Sequence, residues 1–259
     1  MRVIFSNILA IYRKELQTYF ASPLAAAIAG IFWFLSGVLF VRILFNATLT
    51  ATQFDAQGQQ IDLPSAVLQD FLGVLGFISL FILPMLSMSL YAEERKRGTL
   101  ELLATSPITN WAVALGKLLA VLTFYISLVL PLMAYEAIVF SSTNPPFSPA
   151  VFLIGHAGLI LLSAAILSLG MFISSLTDST ILAAILTFVL TLLLWLTDAL
   201  AGNSGLLGDI FGQLSLLKHF TNLVQGVVDT SSLILFASYT VLGLFLTAQS
   251  VEAFRFQRS

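Results

Sequence analysis

The sequence predicts an all-α polytopic membrane protein with six transmembrane helices. Of its 259 residues, 58% are hydrophobic and only 9% are charged, whereas soluble domains carry about 25% charged residues. The apolar residues form six long runs, each at least as long as the ~20 residues that a helix needs to cross a bilayer. Because cysteine is absent, disulfides and thiolate metal or redox chemistry are excluded. We expect one transmembrane domain over residues 1–259.

Residues 1–22 are predicted to form an amphipathic helix along the membrane surface. Ile4, Ile8 and Ile11 can share one helical face, with most polar residues elsewhere, which is typical of an interfacial helix. The charged run at residues 13–15 interrupts the apolar stretch, so a signal peptide is disfavoured. The alternative is a frayed polar tail.

Six spans follow in chain order. They are predicted at about residues 24–45, 67–91, 111–140, 150–176, 180–201 and 231–251. Polar residues 46–64 are expected to form a loop, and residues 177–179 a tight turn. Pro84 is expected to kink the second span, because proline removes a backbone hydrogen bond.

The distribution of basic residues predicts the orientation. With six spans and an inside N-terminus, nine of the eleven lysines and arginines fall on the inner side, leaving Arg42 and Lys218 outside. Short loops rich in lysine and arginine stay in the cytoplasm. We therefore expect both termini to be cytoplasmic.

A charge-dense stretch, EERKRGTLELLATSPITNWAVALGKLLA, begins at Glu93 between the second and third apolar runs. The hydrocarbon layer excludes such a cluster, so its charged part is expected in water beside the membrane. Residues 100–104 favour a short helix, and Ser106-Pro107 can cap and start the next one. A short helix held at the membrane surface suits docking on a partner, although a solvated loop that obeys the positive-inside rule is equally compatible with the spacing.

This stretch resembles the first cytoplasmic loop of ABC-2 type exporter permeases. The resemblance extends to Gly116 and Lys117, and it implies that the loop at residues 92–110 couples the protein to a separate ATP-hydrolysing subunit. The coupling residues that it implies are Glu93, Glu94, Arg95, Lys96, Arg97, Gly98, Thr99, Leu100, Glu101, Leu102, Leu103, Ser106 and Pro107.

Residues 202–230 are too apolar for a free loop and too interrupted for a span. Short helices that re-enter the outer leaflet and pack on other helices would satisfy the backbone. Their end resembles the H-F-x-N-x-x-x-G-V-x-D pattern of the gliding-motility type of ABC-2 permeases, which implies an extracellular gate. The gate candidates are Lys218, His219, Phe220, Asn222, Gly226 and Asp229. The alternative is a helical lid that does not move.

Other chemistry finds little support in the sequence. Gly116-Lys117 is followed by Leu118 rather than serine or threonine, and no phosphate-binding loop precedes it, so ATP hydrolysis by that route is excluded. Lys117 is instead expected to anchor the inner end of its span. Neither histidine has a metal-ligand neighbour in sequence, and no basic patch suggests nucleic acid.

Acidic residues within spans would indicate an ion-coupled carrier. Glu136 lies 19 residues after Lys117, about 28 Å along a helix, which places it near the outer interface. There it could meet Arg42, His156 or Lys218.

The resemblance implies the permease subunit of an ATP-binding cassette exporter in a bacterial plasma membrane, not itself an enzyme. Two copies of a P-loop ATPase would carry ATP and Mg, and a second permease protomer, identical or related, would complete the path among membrane lipids. The cargo would be lipid-like, a glycan or another amphiphile. The alternatives are a proton- or ion-coupled secondary carrier, an intramembrane enzyme, and a non-transporting assembly or regulatory protein with the permease fold.

Overall fold

A computed structural model of the protein describes residues 2–55, 62–100, 108–141, 143, 147–201 and 211–256. Across these residues the chain is α-helical, with no strand. The helices are α1 (Arg2–Ala21), α2 (Pro23–Asp55), α3 (Leu63–Ser87), α4 (Ser89–Lys96), α5 (Asn110–Ser141), α6 (Pro149–Leu176), α7 (Thr180–Ala201), α8 (Leu216–Val224) and α9 (Thr230–Phe256).

Six helical stretches among the described residues are long and apolar enough to cross a membrane. They are Pro23–Gln53, Leu63–Lys96, Asn110–Ser141, Pro149–Leu176, Thr180–Asp198 and Thr230–Phe254. The predicted fold class is thereby confirmed. That α1 lies along the membrane surface, and that the outer helices re-enter the bilayer, remain predictions.

The first spanning helix is longer than the sequence predicts. A loop was expected from residue 46, but α2 continues to Asp55. The hydroxyls of Thr48, Thr50 and Thr52 donate to backbone carbonyls three or four residues earlier, at 2.7–2.9 Å. Because these hydroxyls form hydrogen bonds with carbonyls of their own helix, the helix can continue past the hydrocarbon layer.

The second span is interrupted where the sequence expects a kink. Pro84 lies inside α3, and the helix breaks at Met88, one turn further on. The chain then resumes as α4, so the charged residues expected in a loop from residue 92 begin as a helix instead.

Helix α6 occupies the centre of the bundle and packs against α3, α4, α5, α7, α8 and α9. Small residues allow the closest approaches. A Cβ atom added to Gly243 of α9 would lie 2.5 Å from the carbonyl carbon of Ser168, and one at Gly158 would lie 2.8 Å from Leu223. Such positions let membrane helices pack backbone to backbone.

Helix α1 packs along the start of α5 rather than standing apart. Ile11 packs against Gly116, where an added Cβ atom would lie only 3.0 Å from the Ile11 side chain. The ring of Tyr19 stacks on Phe124 with centroids 5.3 Å apart. The Tyr19 hydroxyl donates to the Leu86 carbonyl at 2.6 Å. Helices α1 and α4 and the start of α5 meet at one end of the bundle, which we call the loop end. The opposite end carries α8, and we call it the far end.

Candidate functional site

The loop end contains a charged turn that finishes helix α4. Gly98 has a φ of 69°, a left-handed conformation that glycine adopts without steric cost. The Thr99 N–H donates to the Glu94 carbonyl at 2.9 Å, and the Gly98 N–H donates to the Arg95 carbonyl at 3.1 Å. These two bonds form the Schellman arrangement that ends a helix, so Gly98 fixes the direction in which the chain leaves α4.

Lys117 joins three helices beneath this turn. Its Nζ donates to Glu94 Oε1 at 2.8 Å, to Glu15 Oε1 at 3.2 Å and to the Leu90 carbonyl at 2.8 Å, and it lies 5.0 Å from the Tyr91 ring centroid. The residue is only 2% exposed. That Lys117 anchors the inner end of its span stays a prediction; the structure shows that two carboxylates hold its ammonium inside the protein.

Arg95 also turns inward, toward the ends of two other helices. Its Nη1 donates to the Ser175 carbonyl at 3.0 Å, and its guanidinium lies 3.9 Å from the Phe254 ring centroid. This contact satisfies a carbonyl at the end of α6 and adds a cation–π interaction with α9.

The outward charges form a separate group beside the turn. Glu93 and Arg97 pair with each other one turn apart, while Lys96 is exposed. Of the five consecutive charged residues predicted to couple, Glu94 and Arg95 hold the protein together, and Glu93, Lys96 and Arg97 remain available to a partner. Leu100 is buried. Glu101, Leu102, Leu103, Ser106 and Pro107 lie outside the described residues.

A serine that the sequence did not single out holds the break between α3 and α4. Ser174 Oγ of α6 accepts from the backbone N–H groups of Tyr91 and Ala92 at 3.1 and 3.0 Å, and donates to the Met88 carbonyl at 2.7 Å. One hydroxyl thus uses its full hydrogen-bonding capacity on backbone groups that the break leaves without helical partners. Only the interruption near Pro84 hints at this arrangement in the sequence.

At the far end, α8 buries the face that carries part of the predicted gate. Phe220 packs over Gly76 of α3, and His219 is buried. Asn222 accepts the Val227 N–H through its backbone carbonyl at 2.9 Å, which closes the turn at Gly226, where φ is 79°. Asp229 caps α9 by accepting from the Ser231 N–H at 3.2 Å.

His219 has a polar partner at each ring nitrogen. Its Nε2 lies 3.2 Å from the Gln213 carbonyl, which can only accept, so this nitrogen carries the proton. Its Nδ1 lies 2.9 Å from Ser232 Oγ, and in the neutral ring it accepts from that hydroxyl. Burial lowers the pKa of His219, and the neighbouring Lys218 lowers it further, against opposing contributions from the Gln213 carbonyl and Asp229.

A second histidine faces Glu136 between α5 and α6. His156 Nε2 lies 3.4 Å from Glu136 Oε1, and both side chains are buried. His156 Nδ1 donates to the Phe152 carbonyl at 2.9 Å, which leaves Nε2 facing the carboxyl group. Of the three partners considered for Glu136, the structure selects His156, whereas Arg42 and Lys218 are exposed.

These features define a class: a helical membrane protein whose spans converge on a charged turn at one end. A family model described as "ABC-2 family transporter protein" matches residues 43–246, and the chain belongs to this family. It is therefore a multi-pass membrane permease of an ABC transporter, and such permeases typically work with an ATP-binding subunit. A comparison with curated proteins returned no match. The likeness to the gliding-motility type remains a resemblance.

Proposed function

We propose that this chain is the permease subunit of an exporter that moves a lipid-like, glycan or other amphiphilic cargo. ATP and Mg bind to a separate P-loop subunit, which is present in two copies and hydrolyses the ATP. A second permease protomer, identical or related, completes the path. The complex resides in a bacterial plasma membrane, with both termini and the loop end in the cytoplasm.

The observation that carries this proposal is the way α4 is tied to its surroundings. Lys117 links α4 to α1 and α5, Ser174 links it to α6, and Arg95 links it to α6 and α9. The chain enters the predicted coupling segment directly after these links. A push on that segment would act on four helices together, because α4 is linked directly to α1, α5, α6 and α9.

The exposed charges suit the partner-facing side of the same element. Glu93, Lys96 and Arg97 lie at the surface beside Gly98. Exposed charges at an interface rim affect association rate and orientation more than affinity. The affinity would come from apolar residues of the coupling segment, since full burial of a leucine side chain contributes roughly 1.5–3 kcal/mol.

The decisive experiment replaces Leu102 and Leu103 together by aspartate. We expect the variant to insert and fold, to capture the ATPase more weakly and to lose permease-stimulated ATP turnover. Lys96→Gln is the matched control and should change little, because exposed ion pairs contribute about 0–1 kcal/mol. Normal ATPase capture and turnover by the folded double variant would remove this segment from the coupling role.

The buried Glu136–His156 pair favours one alternative, a proton-coupled carrier, since buried ionisable groups in spans often mark proton pathways. The two functions differ in what they require of Glu136. If the chain is an exporter subunit, the folded Glu136→Gln variant should retain permease-stimulated ATP turnover in the reconstituted complex. A carrier should lose transport with this substitution and should transport without any ATPase.

A further inference from the structure

A cavity of about 670 Å³ opens at the loop end between α1, the start of α2, the end of α3 and α4. Its size is within the range of sites that bind small molecules. It is amphipathic along its length: one part is apolar and the other is lined by charged and hydroxyl side chains. The outer gate candidates and the Glu136–His156 pair are not among its lining residues.

The apolar part of the cavity is continuous with the surface that the spans present to lipid. Leu24, Ile28 and Met85 line it. Ile28 is buried, whereas Leu24 and Met85 are among the exposed apolar side chains. An acyl chain that leaves the cavity past Leu24 and Met85 would therefore remain in apolar surroundings, as a lipid tail requires.

The polar part presents both signs of charge. Lys14 and Arg97 line it with side chains that are 73% and 69% exposed, and Glu93 lines it with a side chain that is 46% exposed. Lys117 also lines the cavity, but its charge is engaged by Glu15 and Glu94. Arg97 and Glu93 pair with each other, and a headgroup with both a phosphate and an ammonium would give each of them an opposite charge in place of that pair.

We propose that this cavity binds one phospholipid of the adjacent leaflet whose headgroup carries both a phosphate and a primary ammonium, as in phosphatidylethanolamine. The phosphate binds Lys14 and Arg97, the ammonium binds at Glu93, and the acyl chains leave past Leu24 and Met85. Arg97 pairs with Glu93 before the lipid binds, so a headgroup with phosphate alone would draw Arg97 away and leave the Glu93 carboxylate without a cation.

This inference does not rest on the proposed function, since lipid binding requires neither ATPase nor cargo, although Glu93 and Arg97 also lie on the side that the proposed function assigns to the ATPase. The lipid would bridge α1 and α4, the two helices that Lys117 also joins. Its binding would hold α4 against α1, and the surrounding membrane would thereby influence the position of the charged turn.

The test uses the full chain purified in detergent and analysed by native mass spectrometry. Dioleoyl phosphatidylethanolamine, phosphatidylcholine and phosphatidylglycerol are titrated separately. We expect the ethanolamine lipid to bind about tenfold more tightly than the other two, because the methylated ammonium of choline has no N–H donor and the glycerol headgroup has no cation. Glycerophosphoethanolamine and inorganic phosphate, which lack acyl chains, should not bind in the same range.

Two matched pairs of variants locate the site. Thr18 lines the cavity and Gln17 does not, and both are exposed residues of α1. Thr18→Trp should lower ethanolamine-lipid binding about tenfold by filling the cavity, whereas Gln17→Trp should not. Lys14→Glu should lower it similarly, whereas Arg13→Glu, one residue away and outside the cavity, should not.

Several outcomes would overturn the proposal. The first is an equal loss of ethanolamine-lipid binding in a variant and its control. The second is binding of phosphatidylglycerol or of inorganic phosphate as tight as that of the ethanolamine lipid. Weakened ATPase capture by Thr18→Trp and Lys14→Glu with unchanged lipid binding would assign the cavity to the protein partner instead. If Thr18→Trp does not fold, as judged by size-exclusion chromatography, the Lys14 and Arg13 pair decides.

Discussion

Lys117 shows how one buried cation can organise the end of a helical bundle. Its ammonium has three hydrogens, and the structure supplies three oxygen acceptors, one each from Glu94, Glu15 and the Leu90 carbonyl. A buried ion pair gains little net stability over apolar packing, but the loss of one partner leaves an uncompensated charge. The value of the arrangement is that it fixes the positions of α1, α4 and α5 relative to one another.

We predict that Lys117→Met destabilises the protein by about 3 kcal/mol, because it leaves two carboxylates facing each other. This is the lower end of the range for breaking buried pairs, since the Glu94 side chain is 22% exposed. The measurement is thermal unfolding of the purified chain in detergent.

Lys14→Met is the control, because Lys14 is exposed and lies 3.6 Å from Glu15; its loss should be worth no more than about 1 kcal/mol. Adding Glu94→Gln to Lys117→Met should recover part of the stability. Equal unfolding temperatures for the Lys117 and Lys14 variants would show that the buried cation does not hold the loop end.

The lowered pKa of His219 predicts that the stability of the folded protein depends on pH. Its pKa in the folded protein is lowered, whereas an unfolded chain binds the proton near pH 6.5. The folded state therefore binds fewer protons below that pH, so the contribution of His219 is fully present above about pH 6.5 and is lost as the pH falls. We expect the unfolding temperature to decrease from pH 7.5 to pH 5.

His219→Gln is the comparison that isolates this effect, since the amide cannot titrate and retains one donor and one acceptor. The variant should show a smaller decrease over the same pH range. An identical pH profile for the wild type and this variant would assign the dependence to other groups.

At the scale of elements, the break between α3 and α4 depends on α6. The second span breaks at Met88, one turn after Pro84, and Ser174 bonds to the Met88 carbonyl at the break and to the two N–H groups of Tyr91 and Ala92 after it. The charged turn is thus positioned by a helix more than 80 residues away in sequence.

We predict that Ser174→Ala destabilises the protein by about 2 kcal/mol, because it leaves buried backbone N–H groups without an acceptor. In the complex, it should also lower permease-stimulated ATP turnover, since α4 loses one of its two polar links to α6 and keeps only the Arg95 contact. Ser175→Ala is the matched control, because the Ser175 hydroxyl donates only to the Phe172 carbonyl of its own helix. Equal effects of the two substitutions would show that the break does not rely on Ser174.

The sequence predicts the helical elements well and their contacts poorly. Long apolar runs indicate where helices can span, since burial in lipid requires satisfied backbone groups. The extension of α2 to Asp55 was missed because threonine back-bonding is not visible in a hydropathy pattern. The pairing of Lys117 with Glu15 and Glu94 could not be predicted, because several acids and bases near the loop end are compatible with the same composition.

At the scale of the whole molecule, two helices carry much of the outer apolar surface. Helix α7 exposes Ile181, Ile185 and Leu193, and α2 exposes Phe34 and Val41 among others. In a soluble protein, such surfaces would mark an interface or an aggregation hazard. Here they suit contact with lipid tails or with the second protomer that we propose.

The last prediction concerns how the whole bundle sits in the membrane. Nine of eleven basic residues fall on the loop-end side of a six-span arrangement, and lysine and arginine favour the cytoplasm. The chain has no cysteine, so single cysteines can be introduced without other changes. Gln53→Cys and Gln225→Cys should react with an impermeant thiol reagent added to intact cells. Lys96→Cys and Asp178→Cys, exposed residues at the opposite end, should react only after permeabilisation. Reaction of Lys96→Cys in intact cells would invert the orientation and would place the charged turn on the wrong side for a cytoplasmic ATPase.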